Sequence, residues 1–412
     1  MPGREPLLPP ESLARYADAI VRASLGIEQG DTLYVQAQPE HRELSVAVAE
    51  AAYRAGAQFV DVVTADPLVT RARLLHGSDD ALGALSPWSR RRFREVSGPR
   101  GALFQIAGEG EGNYLDGVPP ERIATDFTRF VKQIDFLRRA QLNLRARWAI
   151  AAWPTDHWAG QVYPELELLA AKRRLAEDLL RFCRLTDEDG KGTSGWLKHL
   201  RTLGRRSEKL TKLGLARLEL RGPGTDLDLG FATGTRWLGG PETLVDGRTQ
   251  APNIPTEEVF TSPDARATSG TFSCTFPLSF RGRLIHGLRG EFSNGRLVRF
   301  EADSDDDRDF VAAYIDADRM GRRLGEVALV DASSRIGQTG RIYYNTLLDE
   351  NAAAHIAFGS GFGGTRSEKP ARGVNRSSMH LDVMIGSPEL EATGIDTRGR
   401  RIPLIRGGAW QI

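Results

Sequence analysis

Apolar positions in the first two hundred residues recur alternately at helical and at strand spacing. Leu13, Tyr16, Ala17, Ile20 and Val21 follow a helical period, whereas Asp31-Thr32-Leu33-Tyr34-Val35-Gln36-Ala37 reads as a strand. The Ala- and Glu-rich run 41–55 predicts a helix stopped by Gly56, and Gln58 to Val63 returns to a β-branched strand pattern. Further strands are expected at Ala102 to Ala107 and Trp148 to Ala152, separated by a long helical stretch over 119–141. This βαβ rhythm predicts a mainly parallel sheet covered by helices. No GxGxxG or GxxxxGK(S/T) follows any of these strands, so nucleotide binding is not indicated.

From about 163 to 213 the chain reads as helical and strongly basic, with Lys172-Arg173-Arg174 and Arg205-Arg206, a pattern expected of a solvated helix face. After Gly214 the texture changes. Short strand patterns at 216–220, 227–230, 271–276 and 297–300 are punctuated by Gly222-Pro223-Gly224, Gly239-Gly240-Pro241 and Ser293-Asn294-Gly295, which is turn chemistry. The expectation is therefore an α/β domain over 1–210 followed by a β-rich α+β domain over 211–412, with the boundary in the 205–215 region.

A length of 412 residues supports two such domains. Lys plus Arg (55) and Asp plus Glu (54) nearly cancel, which removes the electrostatic motive for nucleic acid or an anionic membrane and favours a small soluble substrate. Cys183 and Cys274 are far apart and lack any CxxC spacing, so neither a disulfide framework nor a thiolate metal site is indicated. No stretch approaches the roughly 20 apolar residues of a membrane span, and Met1 to Pro6 leads into a charged amphipathic segment. A soluble, unprocessed, cytoplasmic protein is expected.

Candidate chemistry lies in the last third. Ser378-Met379-His380-Leu381-Asp382-Val383-Met384-Ile385-Gly386 alternates like a strand, so His380 and Asp382 point the same way. Glu326 lies in the apolar strand pattern Gly325 to Val330, where an uncompensated buried carboxylate is costly. Glu350 and His355 are five apart, which predicts Glu350 in a loop and His355 inside the following helix, with Asp349 or Asn351 as its cap. Pro255-Thr256-Glu257-Glu258 adds a carboxylate at the start of an extended run, with Glu257 and Glu258 on opposite faces. A pair of divalent ions about 3.5 to 4 Å apart needs a bridging carboxylate, terminal oxygen or nitrogen donors and an open position for water. These groups suffice for that, although taken singly each histidine reads as a core or surface residue, Glu326 as half of a salt bridge and Glu257-Glu258 as an exposed pair.

At these residues the sequence resembles the thermophilic-type metalloaminopeptidases, peptidase family M29. The likeness runs through Tyr16-Ala17-Asp18-Ala19-Ile20-Val21, Ala52-Tyr53-Arg54-Ala55-Gly56-Ala57, Trp148 to Thr155, Gly222 to Leu227, Asn253 to Pro263, Leu324 to Val330, Tyr344 to Asn351 and Val383 to Ser387. The resemblance implies metal ligation by one glutamate of the Pro255–Glu258 segment, assigned to Glu257, and by Glu326, Glu350, His355, His380 and Asp382. It also implies Glu326 as the bridging carboxylate. Sequence does not separate Glu257 from Glu258; the one that is not a ligand is left as general base or as binder of the substrate amine, here Glu258. The resemblance further implies two divalent ions of zinc, cobalt or manganese, a homodimer enclosing its active sites in an internal cavity, and removal of N-terminal residues from small peptide or amide substrates.

One position departs from the family pattern. Where its members carry a tyrosine seven residues after the histidine, this chain has Phe362, expected to contact substrate, and the run from Phe362 to His380 is shorter than in relatives. The alternatives are therefore a hydrolase of a non-peptide amide, lactam or ester, and, because dihydroxypyridine ring-cleaving dioxygenases are similar to this family, a mononuclear Fe(II) dioxygenase using His355, His380 and Asp382. A non-catalytic binding protein ranks last.

Overall fold

A computed structural model describes residues 5–108, 110–112, 114–280, 283–367 and 371–412. These fall into two compact units. One comprises the described residues up to Lys198 with Pro241–Pro255, and the other comprises His199–Gly240 with Thr256–Ile412. The sequence-based boundary region, 205–215, overlaps the end of the helix Ser194–Leu213.

The first unit is built on β1 (Thr32–Ala37), β2 (Phe59–Thr64), β3 (Gly101–Ala107) and β4 (Arg147–Ala152), which pair in the order β2-β1-β3-β4, all parallel. The short strand Asn253–Ile254 extends the sheet beside β4. Both faces of the central strands are covered, so Leu33, Val35 and Phe104 are fully buried, as parallel sheets require. The predicted helix is present as Arg42–Arg54, and Gly56 takes a positive φ of 99° just after it, where a side chain would collide with Gln29.

The stretch 119–141 is two helices, Pro120–Gln133 and Asp135–Leu142, and not one. Ile134 leaves helical geometry at φ −107°, ψ 12°, and packs with Phe130 and Phe136 against the buried Phe93 and Leu103. The basic passage also departs from expectation, because Lys172 is buried and held by Glu40 at 3.1 Å and Asp156 at 2.5 Å.

His41 sits at the end of the turn after β1, fully buried, with its Nδ1 accepting the backbone N–H of Gln38 at 3.1 Å. Burial drives its pKa down to about 4, and the nearby Lys172 charge acts in the same direction. Because the folded value lies below the unfolded one of about 6.5, the unfolded state binds more protons between them. Stability from this site is complete above pH 6.5 and is lost as pH falls towards 4, a change on the order of 3 kcal/mol. In urea unfolding followed by tryptophan fluorescence, His41→Asn, which keeps an acceptor but cannot titrate, is expected to flatten the fall in stability between pH 7 and pH 4 by that amount; parallel curves for the two proteins would contradict the assignment.

Among its described residues the second unit contains two antiparallel sheets of four or more strands and a two-stranded antiparallel pair, Leu278–Phe280 with Arg283–Ile285. The larger runs in the order Arg296–Glu301, Arg289–Ser293, Thr268–Ser273, Thr225–Gly230, Leu215–Gly222, Glu391–Asp396, Arg401–Arg406, Ala409–Trp410. Its hairpin at Ser293 turns on Asn294 (φ 51°) and Gly295 (φ 73°), the two left-handed residues that a tight hairpin of this twist demands. The smaller sheet orders Val259–Thr261, Leu324–Leu329, His355–Gly359 and His380–Met384, and its Phe358 packs with Phe272 and Phe292 of the larger sheet at ring separations of 5.8 and 5.7 Å. Among the described residues no helix is long and apolar enough to cross a membrane.

Candidate metal centre

The four-stranded sheet collects the acidic and imidazole side chains by register. Glu326 and Asp382 both pair with Ala357, one from each side, so all three side chains rise from the same face. His355 and His380 lie two residues before Ala357 and Asp382 on their strands and therefore share that face. Phe260 pairs with Ala328, which has the parity of Glu326, and this directs Glu258, two residues earlier, to the same side. Ala357 at the middle of the row is small, which leaves room above it for the longer groups around it.

His355 is not in a helix. It opens a strand bonded to both neighbours, because the run Ile356-Ala357-Phe358 is buried in the sheet and the ladder overrides the helix propensity of Ala352-Ala353-Ala354. Glu350 precedes it in a short 3-10 turn, as a loop position. Asp349 accepts the N–H groups of Tyr343 (2.7 Å) and Asn345 (3.0 Å) and so secures the preceding loop; burial raises its pKa to about 6.

Among the described residues two groups of donor atoms result, each within 4.8 Å of one another: Glu258, Glu326 and His355, and Glu326, His380 and Asp382. Glu326 belongs to both. His355 Nε2 lies 3.2 Å from Glu258, and His380 Nε2 lies 3.1 Å from both Glu326 and Asp382. Each imidazole is oriented from behind, since Nδ1–H of His355 donates to the Ala353 carbonyl (3.2 Å) and that of His380 to the Ser360 carbonyl (2.8 Å). That leaves both Nε2 atoms facing the carboxylates, the arrangement by which proteins present histidine to a metal.

Glu257 takes the other direction. Its carboxylate is 3.4 Å from His199 Nε2, which also meets the Thr256 carbonyl at 2.8 Å, and its backbone N–H donates to Asn351 Oδ1 at 2.7 Å. Asn351 in turn donates to the Leu347 carbonyl at 2.9 Å and approaches Glu350 at 3.5 Å, tying the Glu257 segment to the Glu350 loop. Phe362 stands over the ligand-bearing face, edge-on to His380 (5.5 Å between ring centres) and to Phe260 (5.1 Å). Sequence reading passed over His199 and Asn351. His199 sits in a helix that looks uniformly basic and solvated, and Asn351 was legible only as a local cap.

The electrostatics of the face ask for a cation. Glu258, Glu326, Glu350 and Asp382 crowd together there, with the imidazoles of His355 and His380 among them. Burial pushes Glu326 up to about 7 and Glu350 well above the carboxylate range, Glu350 further under the charges of Asp382 and Glu258. Burial alone would lower His355, yet the Glu258, Asp382 and Glu326 carboxylates outweigh it and raise the group to about 10; His380 is raised in the same way, chiefly by Asp382. Asp382 is held low despite burial by the two histidines. Protons thus gather where positive charge is missing, and hard oxygen donors with imidazoles suit a divalent metal.

Comparison with known proteins agrees with this chemistry. A family model described as thermophilic metalloprotease (M29) matches residues 10–410. The chain belongs to the M29 metalloprotease family. Aminopeptidase T of Thermus aquaticus is 33% identical over 408 residues, 98% of this chain and 99% of that protein. The solved structure of wild-type AmpT from Thermus thermophilus superposes with a TM-score of 0.89 at 32% identity, covering 98% of this chain and 99% of its own. A 2,5-dihydroxypyridine dioxygenase from Pseudomonas putida KT2440 has a TM-score of 0.53 at 13% identity over 98% of both chains, a likeness of fold alone. As an M29 protein the chain is a metal-dependent hydrolase with a parallel-sheet α/β region and an antiparallel β-rich region.

Proposed function

We propose that this M29 protein is a dinuclear aminopeptidase that removes N-terminal residues from short peptides. The observation that carries the reading is the membership of Glu326 in both donor groups. Glu258 and His355 would hold one ion, His380 and Asp382 the other, Glu326 would serve both, and Glu350 would complete the set. The ions, of zinc, cobalt or manganese, supply Lewis acidity that polarises the scissile carbonyl and makes a water molecule nucleophilic near neutral pH.

The chain's own groups do the rest. Glu257, the carboxylate next to Glu258 that neither donor group uses and that His199 holds at 3.4 Å, would take a proton from the attacking water and return it to the leaving amine. This exchanges the roles that sequence assigned to Glu257 and Glu258. The free α-amine of the substrate is drawn to the surplus of carboxylates, which suits an exopeptidase. Phe362 supplies an apolar wall beside His380 for a substrate side chain. A cytoplasmic homodimer is the assembly and setting proposed for it.

Phe362 also favours a second reading, because it lacks the hydroxyl that the family pattern places there: the same centre acting on a non-peptide amide, lactam or ester. Reconstitution with zinc, cobalt, manganese or iron(II) and a screen across peptides, aminoacyl amides, lactams, esters and aromatic diols tests both. Peptide cleavage with two ions per chain is expected; oxygen-dependent ring opening with one iron would overturn it. Phe362→Tyr is expected to raise kcat on peptides roughly ten- to a hundred-fold, in line with the worth of an aimed hydroxyl donor. Unchanged turnover in that variant would rule out a role for the missing hydroxyl.

A further inference from the structure

Arg206 is placed as a recognition group and not as a structural one. It lies on the same face of the helix Ser194–Leu213 as His199, seven residues on, hence about 10 Å along the axis. The helix position is fixed by close backbone approach. Gly240 (φ 73°) lies where a side chain would strike the Leu200 carbonyl and the Gly204 amide, and Thr211 Oγ1 accepts the N–H of Trp237 at 2.8 Å.

The guanidinium is held but not used. It stacks over the Trp410 indole at 5.0 Å, which sets its plane. The Asp331 Oδ2 atom is 3.9 Å away, beyond hydrogen-bond distance, and the carboxylate is tethered through its other oxygen, which accepts from Ser333 N–H (3.2 Å) and Ser333 Oγ–H (2.6 Å). Arg206 donates no hydrogen bond to any described residue, although its side chain is only 24% exposed. Burial lowers its pKa, while the Asp331 and Glu257 charges oppose that, which puts it within electrostatic reach of the proposed proton carrier. A planar fork of N–H donors, oriented and without acceptors, is what bidentate capture of a carboxylate requires.

We infer that Arg206 binds the C-terminal carboxylate of the substrate and so makes the enzyme selective for di- and tripeptides. The inference rests on the aminopeptidase reading for its choice of carboxylate. Two or three extended residues span about 7 to 11 Å, comparable to the His199–Arg206 separation along the helix.

The test uses the metal-loaded full chain and uncleavable di- and tripeptides, with a reduced methylene-amine link in place of the first peptide bond, each as free acid and as C-terminal amide. Binding is measured by calorimetry and, in parallel, kcat and KM are measured on the cleavable peptides. Wild type is expected to favour the acid roughly 10- to 100-fold, the worth of a charge-assisted hydrogen-bonded pair. In Arg206→Gln that preference disappears through KM, while amide binding, metal content and kcat change less than about twofold; Arg206→Lys keeps part of the preference. Absence of an acid preference in wild type, equal loss for acid and amide in the variant, or no binding of either compound overturns the inference. Binding selectivity that depends on Arg206 without cleavage of any peptide would instead sink the aminopeptidase reading and, with it, the selectivity for di- and tripeptides, while Arg206 would stand as a carboxylate-binding group.

Discussion

Glu326→Gln is expected to remove metal and activity together. Glutamine is nearly isosteric but neutral, and at this position it must replace a carboxylate that belongs to both donor groups. The loss therefore falls on two sites at once, and the amide can offer only one oxygen, with its NH2 turned against either His380 or the second group. We expect bound metal, measured by mass spectrometry after dialysis, to drop from about two ions per chain to one or none. Peptidase activity should fall by roughly three orders of magnitude or more, since several kcal/mol of transition-state stabilisation go with the ions. The residue is buried at the centre of a sheet, so thermal unfolding should accompany the assay. In the metal-free protein the variant ought to be no less stable than wild type, because it removes a buried carboxylate that burial already drives towards neutrality. A variant that retains both metal and turnover would end the case for a shared carboxylate.

The neighbouring glutamates should separate cleanly. Glu257→Gln is expected to lower kcat by about 10²- to 10⁴-fold, the range for loss of a general acid–base group, with metal content intact. Glu258→Gln should lower metal content first, because Glu258 is the one that meets His355 and Glu326. Metal analysis of the two single variants side by side is enough. If Glu257→Gln loses the ions and Glu258→Gln keeps them, the original sequence-based assignment of Glu257 as ligand is restored and the proton-transfer role moves to Glu258.

Much of this was legible from residue order because the information was local. Alternation in Met379 to Met384 places His380 and Asp382 on one side, and the 3.1 Å approach between them is the direct consequence. The same rule sent Glu257 and Glu258 in opposite directions, and the structure has them facing His199 and His355. What local pattern could not supply was which of the two faces would be the populated one, since that depends on Phe260 pairing with Ala328 across a gap of 68 residues. The alanine run before His355 read as a helix for a related reason: propensity is a local quantity, whereas the two strands that capture 355–359 come from distant parts of the chain. His199 and Arg206 were hidden by composition. In a helix rich in Lys and Arg nothing distinguishes a side chain that meets solvent from one that meets Glu257 or Trp410.

The row Glu326, Ala357, Asp382 also acts as a ruler. Neighbouring strands of any sheet lie about 4.8 Å apart, so two carboxylates flanking one central strand are rooted about 9.6 Å from each other whatever their loops do. Their reach inward over a residue no larger than alanine then determines where donors can converge. Loops that join these strands, outside the positions that hold the two imidazoles, are consequently free to vary in length and lining, and to redirect the enzyme towards new substrates, while the span between the anchoring backbones stays constant.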